Sequence, residues 1–174
     1  DCVVGNPPYR KLSEVRQEYI VEGFRTDDCP DLYAPMTERA SALLSTDGRM
    51  AFIVPISLTF SGQFDDLRAY LTSRFPSKWI SSYGRNPTAL FDGKIGVRPT
   101  IFIGAPGAVD RLWSTRTHRW VEDFRPALFD TLTYTPVPDS LRTDEWPKLG
   151  SEAIAELMQS LDHGERRTIA TKLQ

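Results

Sequence analysis

The chain has 174 residues, 40% of them hydrophobic and 25% charged, a composition that excludes global disorder and has room for one ordinary domain. Its longest apolar run, Met50 to Ile56, falls far short of the roughly 20 residues needed to cross a bilayer, so no membrane span is expected. The 21 Lys and Arg against 23 Asp and Glu give a net charge of −2, with no sequence-wide basic field to announce nucleic acid or anionic lipid.

In chain order, residues 1–5 read as a short buried strand leading directly into Asn6-Pro7-Pro8-Tyr9. The chain opens at Asp1 with neither Met nor a secretory leader. It therefore reads as an excised piece of a fold whose first half lies upstream. Residues 10–30 are polar and read as loop. Asp31 is a plausible N-cap for a helix over 32–46, with Leu32, Met36, Ala40, Leu43 and Leu44 at helical spacing and Asp47-Gly48 as the stop. Arg49 to Pro55 is a buried strand, since its apolar run is too short for a helix. Ser61 starts a helix over 62–74 with Phe64, Leu67, Leu71 and Phe75 on one face.

Lys78 to Tyr83 is the next strand, followed by a Gly/Arg/Asn/Pro-rich segment and Thr88-Ala89-Leu90-Phe91. Val97 to Ile103 is a further strand, and Pro99 within it predicts an edge position or an irregularity. Arg111 to Thr117 adds a strand, Val121 to Leu132 a helix, and Pro136, Pro138 and Pro147 mark an extended connector. A last helix over 151–162 carries Ile154, Leu157, Met158 and Leu161, with Gly164 at its end. The alternation of strands and helices over residues 1–104 indicates an α/β layered fold with a mostly parallel sheet.

Asn6-Pro7-Pro8-Tyr9 stands at the carboxyl end of the first strand, where open α/β sheets place their ligand sites. Adjacent prolines stiffen the loop and hold an Asn amide and a Tyr ring in fixed directions, which suits a planar polar ligand; the alternative is a plain turn followed by a surface Tyr. The nine residues Asp1 to Tyr9 resemble the catalytic motif of the amino-group DNA methyltransferases that make N6-methyladenine. Asp31-Leu32-Tyr33, the run Gly48 to Pro55, the run Phe64 to Leu71, and the run Phe91 to Ile103 resemble later motifs of that family, in its order. The late aromatic-plus-strand motif is found especially in large restriction-modification enzymes of the Eco57I type.

The resemblance implies the C-terminal half of a Rossmann-like, S-adenosylmethionine-dependent methyltransferase fold, mostly parallel with a late antiparallel strand. Residues 1–108 would belong to the catalytic domain and 109–174 to an extension toward a target-recognition region. It implies that Asn6 and the Pro7 carbonyl accept hydrogen bonds from adenine's amino group, that Tyr9 stacks on a flipped-out base, and that Pro8 and Phe91 contact it. Double-stranded DNA is the implied partner. The glycine-rich cofactor loop of the family precedes this motif, so the cofactor-binding residues are unknown here and S-adenosylmethionine is expected to bind this chain poorly.

Protein-glutamine and RNA amino-methyltransferases use similar Asn-Pro-Pro-Tyr motifs and remain an alternative, as does a non-catalytic DNA-binding or assembly module. Arg111, Arg116, His118, Arg119 and Arg125, interleaved with Trp113 and Trp120, are a candidate DNA-facing surface or an ordinary solvated face. Arg166-Arg167 suit a cationic last helical turn. With His118 and His163 the only histidines, no metal site is expected. Asp65-Asp66 reads as exposed. Cys2 reads as a buried small residue and Cys29 as a loop thiol, and two such cysteines fit a reducing cytoplasm. An incomplete sheet would expose an edge that invites self-association.

Overall fold

The computed structural model describes residues 1–91, 96–142 and 144–163. Among them, six strands form one sheet in the order β1-β2-β4-β3-β5-β6: β1 (Cys2–Gly5), β2 (Arg49–Pro55), β3 (Ser77–Tyr83), β4 (Pro99–Ala105), β5 (Arg111–His118) and β6 (Thr135–Pro136). Its helices are α1 (Leu12–Val15), α2 (Tyr33–Ala42), α3 (Asp65–Arg74) and α4 (Glu152–His163). β1 pairs parallel with β2, and β3 parallel with β5. β4 is inserted antiparallel between β2 and β3, and β6 closes the far edge antiparallel to β5. The carboxyl ends of β1, β2, β3 and β5 therefore share one edge of the sheet.

The insertion of β4 overturns the expectation drawn from Pro99. That residue is central in the sheet, not at its margin, and is tolerated because it is the first residue of its strand, opposite Pro55 at the last position of β2. Neither proline has an N–H to leave unpaired at this point of the ladder.

α3 presents its expected stripe: Phe64, Leu67, Leu71 and Phe75 are all buried against the sheet. Arg68 is also buried, donating to the carbonyls of Leu58 (2.6 Å), Ser61 (3.0 Å) and Asp144 (2.6 Å) and pairing with exposed Asp65. It ties the turn after β2 to the C-terminal segment. Residues of that segment, Leu112, Val137, Trp146, Leu149 and Ala155, share one core cluster with Met50, Phe52 and Phe102.

Four local expectations need correction. α2 ends at Ala42 and buries Tyr33, Ala34, Thr37 and Ser41, while Met36 and Leu43 are exposed. Its buried hydroxyls explain the choice of face: Thr37 donates to the Tyr33 carbonyl (2.6 Å), and Ser41 is bonded to the Tyr70 hydroxyl of α3 (2.6 Å). Asp31 makes no side-chain cap; it pairs with Lys11. Second, the expected helix over 121–132 is only a 3-10 turn over Glu122–Ala127, because Pro126 removes a donor inside it. Third, β1 is not buried. It lies at the sheet's margin, and Val4 is 76% exposed.

Fourth, the cysteines exchange roles. Cys2 is exposed, whereas Cys29 is buried and desolvation pushes its thiol up to about 11. The polar segment 10–30 holds the short α1, and β6 crosses part of the Pro-rich connector. α4 forms as expected but leaves Ile154, Leu157 and Leu161 exposed. Gly164, Arg166 and Arg167, and the Asp92-Gly93-Lys94-Ile95 part of the late motif, lie outside the described residues. No described helix is long and apolar enough to cross a membrane.

Candidate active site

Asn6-Pro7-Pro8-Tyr9 leaves the sheet where β1 ends, one residue past its last pair with β2, Gly5 with Phe52. The Tyr9 hydroxyl donates to the Ile53 carbonyl at 3.0 Å. Its ring stands edge-on to Tyr33, with centroids 6.5 Å apart at 81°, and Tyr33 stacks in turn on Phe64 at 5.0 Å. The half-buried Tyr9 ring is thus fixed at both its polar tip and its edge. Desolvation pushes its phenol up to about 12. At neutral pH it is a protonated donor and an aromatic face, and it does not act as a base.

Pro7 is buried and anchors the loop, while Asn6 and Pro8 are exposed. Neither the Asn6 side-chain amide nor the Pro7 carbonyl is engaged in a hydrogen bond with the described residues. Two adjacent acceptors on a stiff loop are consequently free to receive a ligand's donors.

Phe91 is half-buried on the segment between β3 and β4, at the same edge of the sheet. That segment is tied to the residues after β5. The Gly84 N–H donates to the His118 carbonyl (2.7 Å), and the Thr88 N–H to the Trp120 carbonyl (3.2 Å). The Arg125 guanidinium donates to the carbonyls of Ala89 (3.1 Å) and Leu90 (2.9 Å). Tyr83, Trp120 and Leu128 form a small second core beneath it, with Leu90 packed against them. This brace has no local signature in the sequence, because it depends on β5 returning beside β3.

The basic residues singled out after residue 109 separate in space. Arg111 stands at the opposite end of β5, Trp113 stacks on Trp79 at 4.8 Å, and Arg125 pairs with Glu122. Arg116, His118, Arg119 and Trp120 come together around one cavity of about 390 Å³, with Pro87 and Phe124 among its other walls. Burial and nearby Arg116 lower the His118 pKa, so its imidazole is neutral at physiological pH.

The glycines of the later strands serve packing. A Cβ on Gly104 would meet the Phe75 ring at 2.6 Å, and one on Gly107 the Ser77 hydroxyl at 2.5 Å. Neither provides a cradle for a cofactor.

The α/β sheet with this loop at its carboxyl edge is matched by a family model, which places the chain among restriction-modification methylases. In particular, the Eco57I restriction-modification methylase family matches residues 1–90, just over half of the 174, and the chain belongs to that family. Type II methyltransferase M.BstVI of Geobacillus stearothermophilus is 28% identical over 108 residues, 59% of this chain; the chain spans only 19% of that relative's length.

Among solved structures, the fold resembles that in the DrdV–DNA complex, with a TM-score of 0.58 and 19% identity over 79% of this chain and 17% of that one. It also resembles a nuclease-deletion mutant of the Type ISP restriction-modification enzyme LlaGI in complex with a DNA substrate mimic. There the TM-score is 0.59 and the identity 18%, over 83% of this chain and 18% of that one.

Proposed function

We propose that this chain carries the catalytic Asn-Pro-Pro-Tyr part of a site-specific DNA adenine-N6 methyltransferase within a restriction-modification enzyme. The observation that carries the proposal is the pair of free acceptors, the Asn6 amide oxygen and the Pro7 carbonyl, beside a Tyr9 ring clamped to Ile53. Adenine's N6 is a poor nucleophile because its lone pair is delocalised into the ring. Two acceptors that take its amino hydrogens favour a more tetrahedral nitrogen with that pair localised outward.

No strong base is needed, which agrees with a loop that carries none. A base inside a duplex cannot reach such a loop and must be flipped out. Tyr9 then offers a face on which it stacks, with Pro8 and Phe91 as further walls.

S-adenosylmethionine would supply the electrophilic methyl group. The space over Gly104 and Gly107 is occupied by Phe75 and Ser77, so neither glycine serves that cofactor. Residues 1–108 belong in this proposal to the catalytic domain, and residues from 109 lead toward a target-recognition region. Double-stranded DNA is the substrate; membership of a restriction-modification family favours it over protein glutamine or RNA.

The test is methyl transfer to adenine in duplex DNA by the protein that carries this chain. Asn6→Ala is expected to lower the rate by about 10²–10³, the cost of removing one positioned hydrogen-bonding group from a reacting centre. Full activity in Asn6→Ala, or transfer to a protein glutamine instead of DNA, overturns it.

A further inference from the structure

The carboxyl edge of the sheet carries a second feature beyond the Asn6 loop. Going along it from β1, Arg98 precedes β4, Arg85 follows β3, and Arg116 and Arg119 stand at the end of β5. The turn after β5 also carries Glu122, which is paired with Arg125, and exposed Asp123. Arg116 and Arg119 hold no ion pair or hydrogen bond through their side chains among the described residues, whereas Arg10, Arg68 and Arg142 are each paired with a carboxylate.

Three observations join at the β5 end. The register between β3 and β5 shifts at Ile80/Ser82, and such a bulge re-aims the side chains that follow it. Arg116, within the bulge, and Arg119, past it, are exposed at the mouth of the 390 Å³ cavity while His118 and Trp120 form its floor. The Nε1 of Trp120 and the Nε2 of His118 are buried without a hydrogen-bond partner, so this wall holds unsatisfied polar capacity next to two unpaired cations. Phe124, mostly exposed on the rim, adds an aromatic face.

The spacing sets where along a duplex the cavity would meet it. β1 and β5 are four positions apart in the sheet, about 19 Å at the usual 4.8 Å between strands. A duplex laid along the edge with its target base at Asn6 rises about 3.4 Å per base pair. The cavity then meets it roughly five or six base pairs from the target.

We propose that the cavity bounded by Arg116, Arg119 and Trp120 holds the sugar-phosphate backbone of the same DNA, on one side of the target adenine, with its phosphates on the two guanidinium groups. The proposal rests on the methyltransferase function above and adds a second, off-centre contact to it.

The experiment measures binding of labelled duplexes to the protein that carries this chain across a salt series. The duplexes extend eight base pairs on both sides of one adenine, or are cut to four on either side. R116A/R119A is expected to weaken binding to the long duplex on the order of tenfold at low salt. It also lowers the slope of log affinity against log salt by about 1.8, two phosphate contacts at roughly 0.9 each.

Shortening one side alone produces the same loss in the unmodified chain, and no additional loss in R116A/R119A. The double variant R49A/R111A removes equal charge from the opposite end of the strands and is expected to change little. If R49A/R111A weakens binding as much, or R116A/R119A not at all, the proposal is overturned and the methyltransferase function stands. If the unmodified protein neither binds the duplex nor methylates its adenine, both fall together.

Discussion

The Tyr9 hydroxyl and the Ile53 carbonyl are 3.0 Å apart, and this bond joins the loop after β1 to the neighbouring strand just past their last paired residues. Removing the hydroxyl alone leaves the ring in place. Tyr9→Phe is expected to cost about 1 kcal/mol of stability, the net worth of one such bond, and to keep methyl transfer within severalfold. Tyr9→Ala removes the stacking face, and base stacking on an aromatic ring is worth about 1–3 kcal/mol. It should raise KM for DNA by about one to two orders of magnitude. Thermal melting and steady-state kinetics separate the two variants; equal kinetic losses would show that the hydroxyl, not the ring, is what substrate needs.

Burial raises the pKa of three phenols together. Tyr9 and Tyr83 are both pushed up to about 12 by desolvation, and Tyr33, fully buried, is raised further despite the nearby Ser57 hydroxyl. In each, the folded state holds its proton more tightly than the unfolded chain, whose phenols ionise near 10. The stability this represents is intact below pH 10 and is lost as pH rises through 12. Melting temperature followed from pH 8 to 12 should therefore fall beyond pH 10, with tyrosinate absorbance rising at unfolding. A flat profile up to pH 12 would mean that these hydroxyls are better solvated than their burial indicates.

β4 is the centre of the sheet, and Gly104 on it leaves room for the Phe75 ring at the end of α3. A Cβ there would lie 2.6–3.0 Å from three ring atoms. Phe75 is fully buried, so it cannot swing into solvent. Gly104→Ala is expected to destabilise by about 1–3 kcal/mol, the usual cost of overpacking, and to lower the urea midpoint accordingly. Gly62→Ala, whose Cβ would meet only the Asp65 carboxylate at 3.8 Å, serves as a control with little change. An unchanged midpoint in Gly104→Ala would place Phe75 elsewhere.

What could be read from the sequence follows how local each feature is. Met50 to Val54 and the Phe64-Leu67-Leu71-Phe75 stripe announce β2 and α3 because each pattern is set within one element. Asn6-Pro7-Pro8-Tyr9 is legible because it is contiguous and follows a strand. The central place of β4 was not, since the chain forms β3 before returning to insert β4 beside β2. The buried face of α2 departs from its apolar pattern because Thr37 and Ser41 bury through hydrogen bonds that apolar counting ignores. The brace of Phe91 by Arg125 and the cavity at His118 and Trp120 exist only once β5 lies against β3.

That brace gives the last prediction. Arg125 holds the Ala89 and Leu90 carbonyls immediately before Phe91, from the 3-10 turn that follows β5. If Phe91 walls the base pocket, Arg125 is a positioning residue for it, and the two should act as one unit. Phe91→Ala and Arg125→Ala are each expected to reduce the fluorescence rise of 2-aminopurine placed at the target position, a signal that reports base flipping. The double variant should lose little more than either single one, because the interaction energy of coupled neighbours offsets the second change. A merely structural Arg125 would lower the melting temperature while leaving the fluorescence rise per bound duplex intact. Independent, additive losses in the double variant would show that Arg125 does not work through Phe91.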